Sequence, residues 1–240
     1  MAEFVQVLDP GHGGHDPGAV ANGLREKDLT LKIALYTRDY IHELYEGVKV
    51  YLTRDKDVFV SLSDRAAFAN RLNADHFCSI HINAGGGEGF ESYIYNGSYS
   101  SKPKTQALRN VLHDTIVAET KFANRGKKEA NLAVLRETKM PAVLTENGFI
   151  DNKDNADFLK SDANLRKIAL AHANGLAKAH GWKAKTKTTT GTKSSSKTST
   201  SGKVFYRVVA GSYSDRSNAE KRVKDLKAKG FDAFIDIYKA

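Results

Sequence analysis

Phe4-Val5-Gln6-Val7-Leu8-Asp9-Pro10-Gly11-His12-Gly13-Gly14 is the stretch that decides the fold. Residues 4–8 are mostly β-branched or large and apolar, and they stop at a glycine-rich loop, which is how a buried strand ends. Outward from there, Leu29, Leu31, Ile33, Leu35, Tyr36, Ile41 and Leu44 recur near helical period over 27–45. Residues 48–52 (Val-Lys-Val-Tyr-Leu) alternate as a second strand. The rhythm continues with a helix at 62–72, for which Ser61 or Ser63 is the cap, and strands at 76–82 and 90–95. A helix at 104–118, short strands at 132–135 and 142–146, and a helix at 164–180 closed by Gly181 complete it. This alternation predicts an α/β fold, an open, twisted, mostly parallel sheet flanked by helices. Loops at the carboxyl ends of its strands should carry the functional residues.

Composition breaks at Trp182. From Lys183 to Lys203 the chain is almost wholly Lys, Thr, Ser and Gly, with too little apolar surface to offset the entropy of ordering. The expected organisation is a catalytic domain at 1–182, a flexible linker at 183–203 and a small β-α-β unit at 204–240. In the last, Val204–Tyr213 and Ala233–Ile237 read as strands around a helix bearing Ala219, Val223 and Leu226. A unit of that size buries little apolar area, so it is expected to pair, with a second copy in a homodimer or with the catalytic domain.

The 240 residues carry a formal net charge of +9, which favours a polyanionic partner. Lys183, Lys185, Lys187, Lys193, Lys197 and Lys203 place much of that charge in the linker rather than in a shaped groove. No face interleaves aromatic and basic residues, so nucleic acid is not an expected partner. No window approaches the roughly 20 apolar residues of a membrane span, so no membrane insertion is expected. The first residues read as a strand and not as a signal peptide. The expectation is synthesis in the cytoplasm and action on an external target after release. Cys78 is the single cysteine and reads as a small buried hydrophobe.

Four ionisable residues fall at strand ends or helix starts: His12 after the first strand, Glu26 opening the first long helix, His81 in Ser79-Ile80-His81-Ile82-Asn83, and Glu146 in Thr145-Glu146-Asn147-Gly148. Two imidazoles and a carboxylate with one open position make the usual catalytic zinc set, and a further carboxylate serves as base. Glu146 suits that last role. Each residue has a plainer reading: a loop histidine, a core histidine, an acid at a helix N-terminus, a turn carboxylate. The Gly11–Gly18 loop lacks a phosphate-loop pattern, and His12, Asp9 and Asp16 suit a metal better.

Asp9-Pro-Gly-His-Gly-Gly-His-Asp-Pro-Gly-Ala19, Gly23-Leu-Arg-Glu-Lys-Asp-Leu29, Ser79–Asn83 and Thr145–Phe149 together resemble, in order, the motifs of the amidase-3 type zinc N-acetylmuramoyl-L-alanine amidases, especially those of bacillus sporulation and phage lysis. The resemblance implies His12, Glu26 and His81 as ligands of one Zn2+ per chain and Glu146 as the catalytic carboxylate. Glu91 and Asn83 would orient substrate or support the site, Arg65 would lie near the cleft, and His15 would be a loop residue. It implies hydrolysis of the amide between muramic acid and L-alanine in bacterial peptidoglycan, on the cell wall after release at lysis. A catalytically inactive peptidoglycan-binding protein is the alternative. Tyr206–Tyr213 and Lys229-Gly230-Phe231 resemble half of a SPOR repeat, a peptidoglycan-binding module.

Overall fold

In a computed structural model, residues 3–186 and 216–228 are described. In chain order the elements are β1 (Phe4–Pro10), β2 (Val20–Ala21), β3 (Leu24–Arg25), α1 (Glu26–Leu44), β4 (Tyr45–Glu46), β5 (Val48–Leu52), α2 (Leu62–Arg71), β6 (His76–Asn83) and β7 (Phe90–Tyr95). Then follow α3 (Lys102–Thr120), β8 (Asn124–Ala130), α4 (Ala133–Arg136), β9 (Ala142–Phe149), α5 (Lys153–Leu159), α6 (Asp162–His180), β10 (Lys183–Ala184) and α7 (Arg216–Ala228). Six strands form one sheet in the order β5-β1-β6-β9-β7-β8. All neighbours are parallel except β7, which runs antiparallel to β9. This is the predicted open, mostly parallel α/β sheet.

Strand alternation divides the core between two faces. Leu8, Cys78, Ile80 and Val143 pack with Ile33 of α1, Ile116 of α3 and Ile168 of α6. Val7, Phe77 and Leu144 face the other way, toward Ala69 of α2 and Leu135 of α4. A fully buried large apolar side chain contributes about 2 kcal/mol. A capping hydrogen bond, such as the one the Asp64 amide donates to Ser61 Oγ at the start of α2, contributes about 1 kcal/mol. Packing therefore holds these helices more than their ends do. Cys78 is fully buried, and burial pushes its thiol up to about 12.

Three local readings change. Residues 132–135, expected as a strand, lie in the short helix α4, where Val134 and Leu135 are buried; a four-residue apolar run does not set its own period. Residues 124–130 (Asn-Arg-Gly-Lys-Lys-Glu-Ala) form the edge strand β8 with an exposed, charged face. Charge on an edge strand discourages pairing with another chain, and it also hides the strand from a hydrophobicity pattern. Lys183 and Ala184, the expected start of the linker, pair with Glu46 and Tyr45. By contact density the chain divides into Met1–Thr188 and Thr189–Ala240. In the second unit the helix expected around Ala219, Val223 and Leu226 is present as α7. The strands expected on either side of it fall outside the described residues.

Candidate active site

At the carboxyl ends of β6 and β9, the face that carries Phe77 and Leu144 changes from apolar to ionisable. Four residues past Phe77 stands His81 and two past Leu144 stands Glu146, register partners across the β6–β9 pairing. Glu146 is also the register partner of Glu91 on antiparallel β7. His81, Glu146 and Glu91 thus form one row across three neighbouring strands.

The loop after β1 and the start of α1 bring the other donors to this row. Glu26 is the first residue of α1 and is 4 % exposed. Its Oε1 accepts from the Ile82 amide and lies 2.9 Å from His81 Nδ1. Its Oε2 accepts from the Ala19 amide and lies 3.2 Å from His12 Nε2. One donor atom from each of His12, Glu26 and His81 falls within 4.8 Å of the others, a group that can hold a metal ion. His12 Nδ1 is taken by Asp16 at 2.8 Å, which turns Nε2 toward Glu26. A carboxylate behind a ligating imidazole in this way fixes the ring's orientation and tautomer.

Electrostatics agree with a cation-binding group. Burial works against charge on His12, but hydrogen bonding and charge from Glu26 and then Asp16 outweigh it and raise the imidazole to about 9. His81 is also raised, by Glu26 and then Glu146 against the same burial. Burial would raise Glu26, yet the two imidazoles hold it well below the usual carboxylate range. The cluster thus binds protons where a metal would bind, and a metal would compete with them.

Glu146 differs from Glu26. Its Oε2 is buried and has no hydrogen-bond partner among the described residues. Burial raises it to about 7, with His81 opposing and Glu26 and Glu91 adding to the rise. A carboxylate poised near neutrality can both accept and return a proton. Glu91, 2 % exposed, is saturated instead. It accepts from Arg125 Nε (2.6 Å), Lys128 Nζ (2.7 Å), the Tyr93 hydroxyl (2.6 Å) and Asn83 Nδ2 (3.1 Å). Burial raises its pKa, but these contacts outweigh it and the net shift is downward.

The model of the N-acetylmuramoyl-L-alanine amidase family matches residues 7–178, which include all four of His12, Glu26, His81 and Glu146. The chain belongs to the N-acetylmuramoyl-L-alanine amidase family. A SPOR domain model matches residues 167–236, beginning within α6. The chain is 46% identical over 228 residues to the sporulation-specific N-acetylmuramoyl-L-alanine amidase of Bacillus subtilis, covering 95% of this chain and 82% of that one. It is 51% identical over 183 residues to the endolysin of Bacillus phage SPP1, covering 75% and 67%. Among solved structures, the catalytic domain of the amidase CwlV from Bacillus (Paenibacillus) polymyxa var. colistinus has a TM-score of 0.70 at 33% identity, covering 75% of this chain and 99% of that one. This amidase therefore acts on peptidoglycan. Among its described residues no helix is long and apolar enough to cross a membrane.

The amidase keeps the His12 loop in place with buried cations that sequence reasoning did not single out for this task. Arg65, expected near the cleft, donates to Asp9 Oδ1, Pro10 O and His12 O at 2.7–2.8 Å. Arg54 donates to Pro10 O, Gly11 O, Lys27 O and the Thr30 hydroxyl oxygen. Lys27 closes on Gly14 O and Asp57. This scaffold holds His12 at φ 61, a left-handed conformation that costs a non-glycine residue free energy. Asp9, read as metal-suited, is consumed by Arg65, Thr53 and Ser79. His15 lies on Phe59, ring centroids 4.2 Å apart, outside the donor group.

Gly11 permits the close approach of β6. A Cβ there would meet His81 Cε1 at 2.2 Å and Nε2 at 2.5 Å. Gly11→Ala is therefore expected to displace the His81 ring and lower metal affinity by about tenfold or more, the scale of disturbing a ligand's support. Metal titration of the purified variant checks this, and unchanged affinity would count against the placement of His81.

Proposed function

We propose that His12, Glu26 and His81 hold one zinc ion, and that Glu146 is the acid–base residue that hydrolyses the amide between N-acetylmuramic acid and L-alanine. The observation that carries this is the donor trio within 4.8 Å beside a buried carboxylate oxygen that has no partner among the described residues and belongs to the register partner of His81. Two imidazoles and one carboxylate are a donor set suited to zinc with a position left open. Bound there, zinc would lower the pKa of a water toward about 7 and polarise the amide carbonyl. Glu146 takes the proton of the attacking water. As the new C–O bond forms and the C–N bond breaks, it returns that proton to the leaving L-alanine nitrogen. Asp16 holds the orientation of His12. Asn147 donates from Nδ2 to His81 O at 3.0 Å, tying β9 to β6 beside the reacting groups. Glu91, fully engaged, positions Tyr93, Arg125 and Lys128, and Asn83 supports Glu91.

Purified peptidoglycan treated with this chain should gain new L-alanine amino termini, and EDTA should abolish the gain. Release of reducing sugar instead would indicate glycosidic cleavage, and absence of any product would favour an inactive wall-binding protein.

The reading extends to the tail. Residues 204–240 would bind peptidoglycan glycans through pairing of two chains, supported by the SPOR match and by the small size of the unit. The full chain is then expected to sediment as a homodimer and a chain ending at residue 188 as a monomer; a monomeric full chain would overturn the pairing. Relatives that include an endolysin and a sporulation-specific amidase support action on the wall after release at lysis.

A further inference from the structure

We propose that Arg125 and Lys128, gathered on Glu91, form the subsite that reads a free carboxylate on the second residue of the peptidoglycan stem peptide. This rests on the role given to Glu146 above, and the spatial order of the strands gives it direction. Moving across the sheet from β6 through β9 and β7 to β8, one meets His81, Glu146, Glu91 and then Arg125 with Lys128. If Glu146 returns the proton to the leaving nitrogen, the acyl side of the scissile amide lies toward His81. The peptide side then lies beyond Glu146, toward β7 and β8. Neighbouring strands are about 5 Å apart. One residue of extended peptide spans about 3.5 Å, so a carboxylate one residue past L-alanine falls over Glu91 and its two cations.

Those cations are built for an anion. Two positive side chains share one buried carboxylate, which leaves one positive charge unmatched within the cluster. Arg125 engages Glu91 through Nε alone. Among the described residues its terminal nitrogens have no acceptor, and its side chain is 38% exposed. The guanidinium is fixed over the Phe149 ring, 4.8 Å from the centroid, and Lys128 Nζ lies 5.8 Å from that of Tyr93. A guanidinium held by one edge, with its two-nitrogen fork free, matches the bidentate geometry of a carboxylate. A clamp joining β7 to β8 would not need this arrangement. Backbone pairing from Ser92↔Lys127 to Tyr95↔Ala130 already joins those strands.

The second stem residue is a glutamate whose α-carboxyl some walls leave free and others amidate, so the subsite predicts a preference. Two uncross-linked glycan-strand substrates, identical except for that carboxyl free or amidated, are compared with the full chain, and L-alanine amino termini are counted. The free acid is expected to be cleaved with a kcat/KM about tenfold or more higher, the scale of one charge-assisted hydrogen bond. In Arg125→Gln/Lys128→Gln the ratio should fall toward one, mainly through KM, while Arg125→Lys should retain part of it. Equal rates in the unaltered chain would overturn the proposal. So would a ratio that survives in the double variant, or one that stays constant while both substrates are lost together, as a structural clamp predicts. Should the double variant not fold, the unaltered chain and Lys128→Gln alone still decide the matter. If neither substrate yields L-alanine amino termini, the role of Glu146 fails first and this subsite fails with it.

Discussion

Glu146→Gln is expected to lower kcat about a thousandfold, the range of general acid–base catalysis, while each chain keeps its metal. The amide has the shape of the carboxylate but can neither take the proton of water nor deliver one to the leaving nitrogen. Its neighbours are secured independently of it. Thr145 on one side is within 3.0 Å of His172 Nε2, and Asn147 on the other bonds His81 O. The variant should therefore fold and leave the trio of His12, Glu26 and His81 undisturbed. The neutral amide keeps a polar atom at the buried position without a partner among the described residues but removes the cost of burying a negative charge there, so stability is expected to hold or rise slightly, as often follows when a strained active-site group is removed. Steady-state kinetics and metal content measured on the same preparation check both halves. A variant retaining more than a tenth of the activity would remove Glu146 from the chemistry.

His81→Ala is expected to lose metal and activity together. The imidazole is one of only three donors in the group, and Glu26 would face His12 alone. Losing an outer partner of a metal ligand costs about 10–100-fold in affinity, and losing a ligand should cost more than that. The comparison that isolates the point is Asp16→Asn, which removes the carboxylate behind His12 Nδ1 but keeps all three donors. Its affinity should fall within the 10–100-fold range, with activity restored by added zinc. Competition titrations with a chromophoric chelator order the three proteins. If His81→Ala bound metal as well as Asp16→Asn, His81 would not be a ligand.

The two variants rest on residues whose meaning was visible in the chain at different depths. Strand β1 was legible because Phe4–Leu8 end abruptly in glycine, and α1 because its apolar residues keep one period for five turns. His12, Glu26, His81 and Glu146 were legible as residues at strand ends and helix starts. Their spacing is scattered, however, and only the four motifs in order made them a set. What brings them together is the register of β6 against β9, a long-range pairing that no local pattern encodes. Arg54, and the part that Arg65 plays in holding the loop, escaped because a buried arginine looks like a surface one until its acceptors are known. Here those acceptors are backbone carbonyls of the His12 loop. Arg125 and Lys128 escaped for a related reason: they lie on an edge strand whose polar sequence carries no strand signal, and Glu91, which orders them, is separated from them by a helix. Residues 132–135 were misread because a run that short fits either a strand or a turn of helix.

The central claim is that zinc is held by His12, Glu26 and His81 beside Glu146. Crystallographic data from the full chain, collected on both sides of the zinc absorption edge, test it most directly. The account predicts one anomalous peak per chain, present only above the edge, bounded by His12 Nε2, the Glu26 carboxylate and His81 Nδ1. A peak at any other cluster of side chains, or a fully active crystal preparation with no peak at this one, would contradict it.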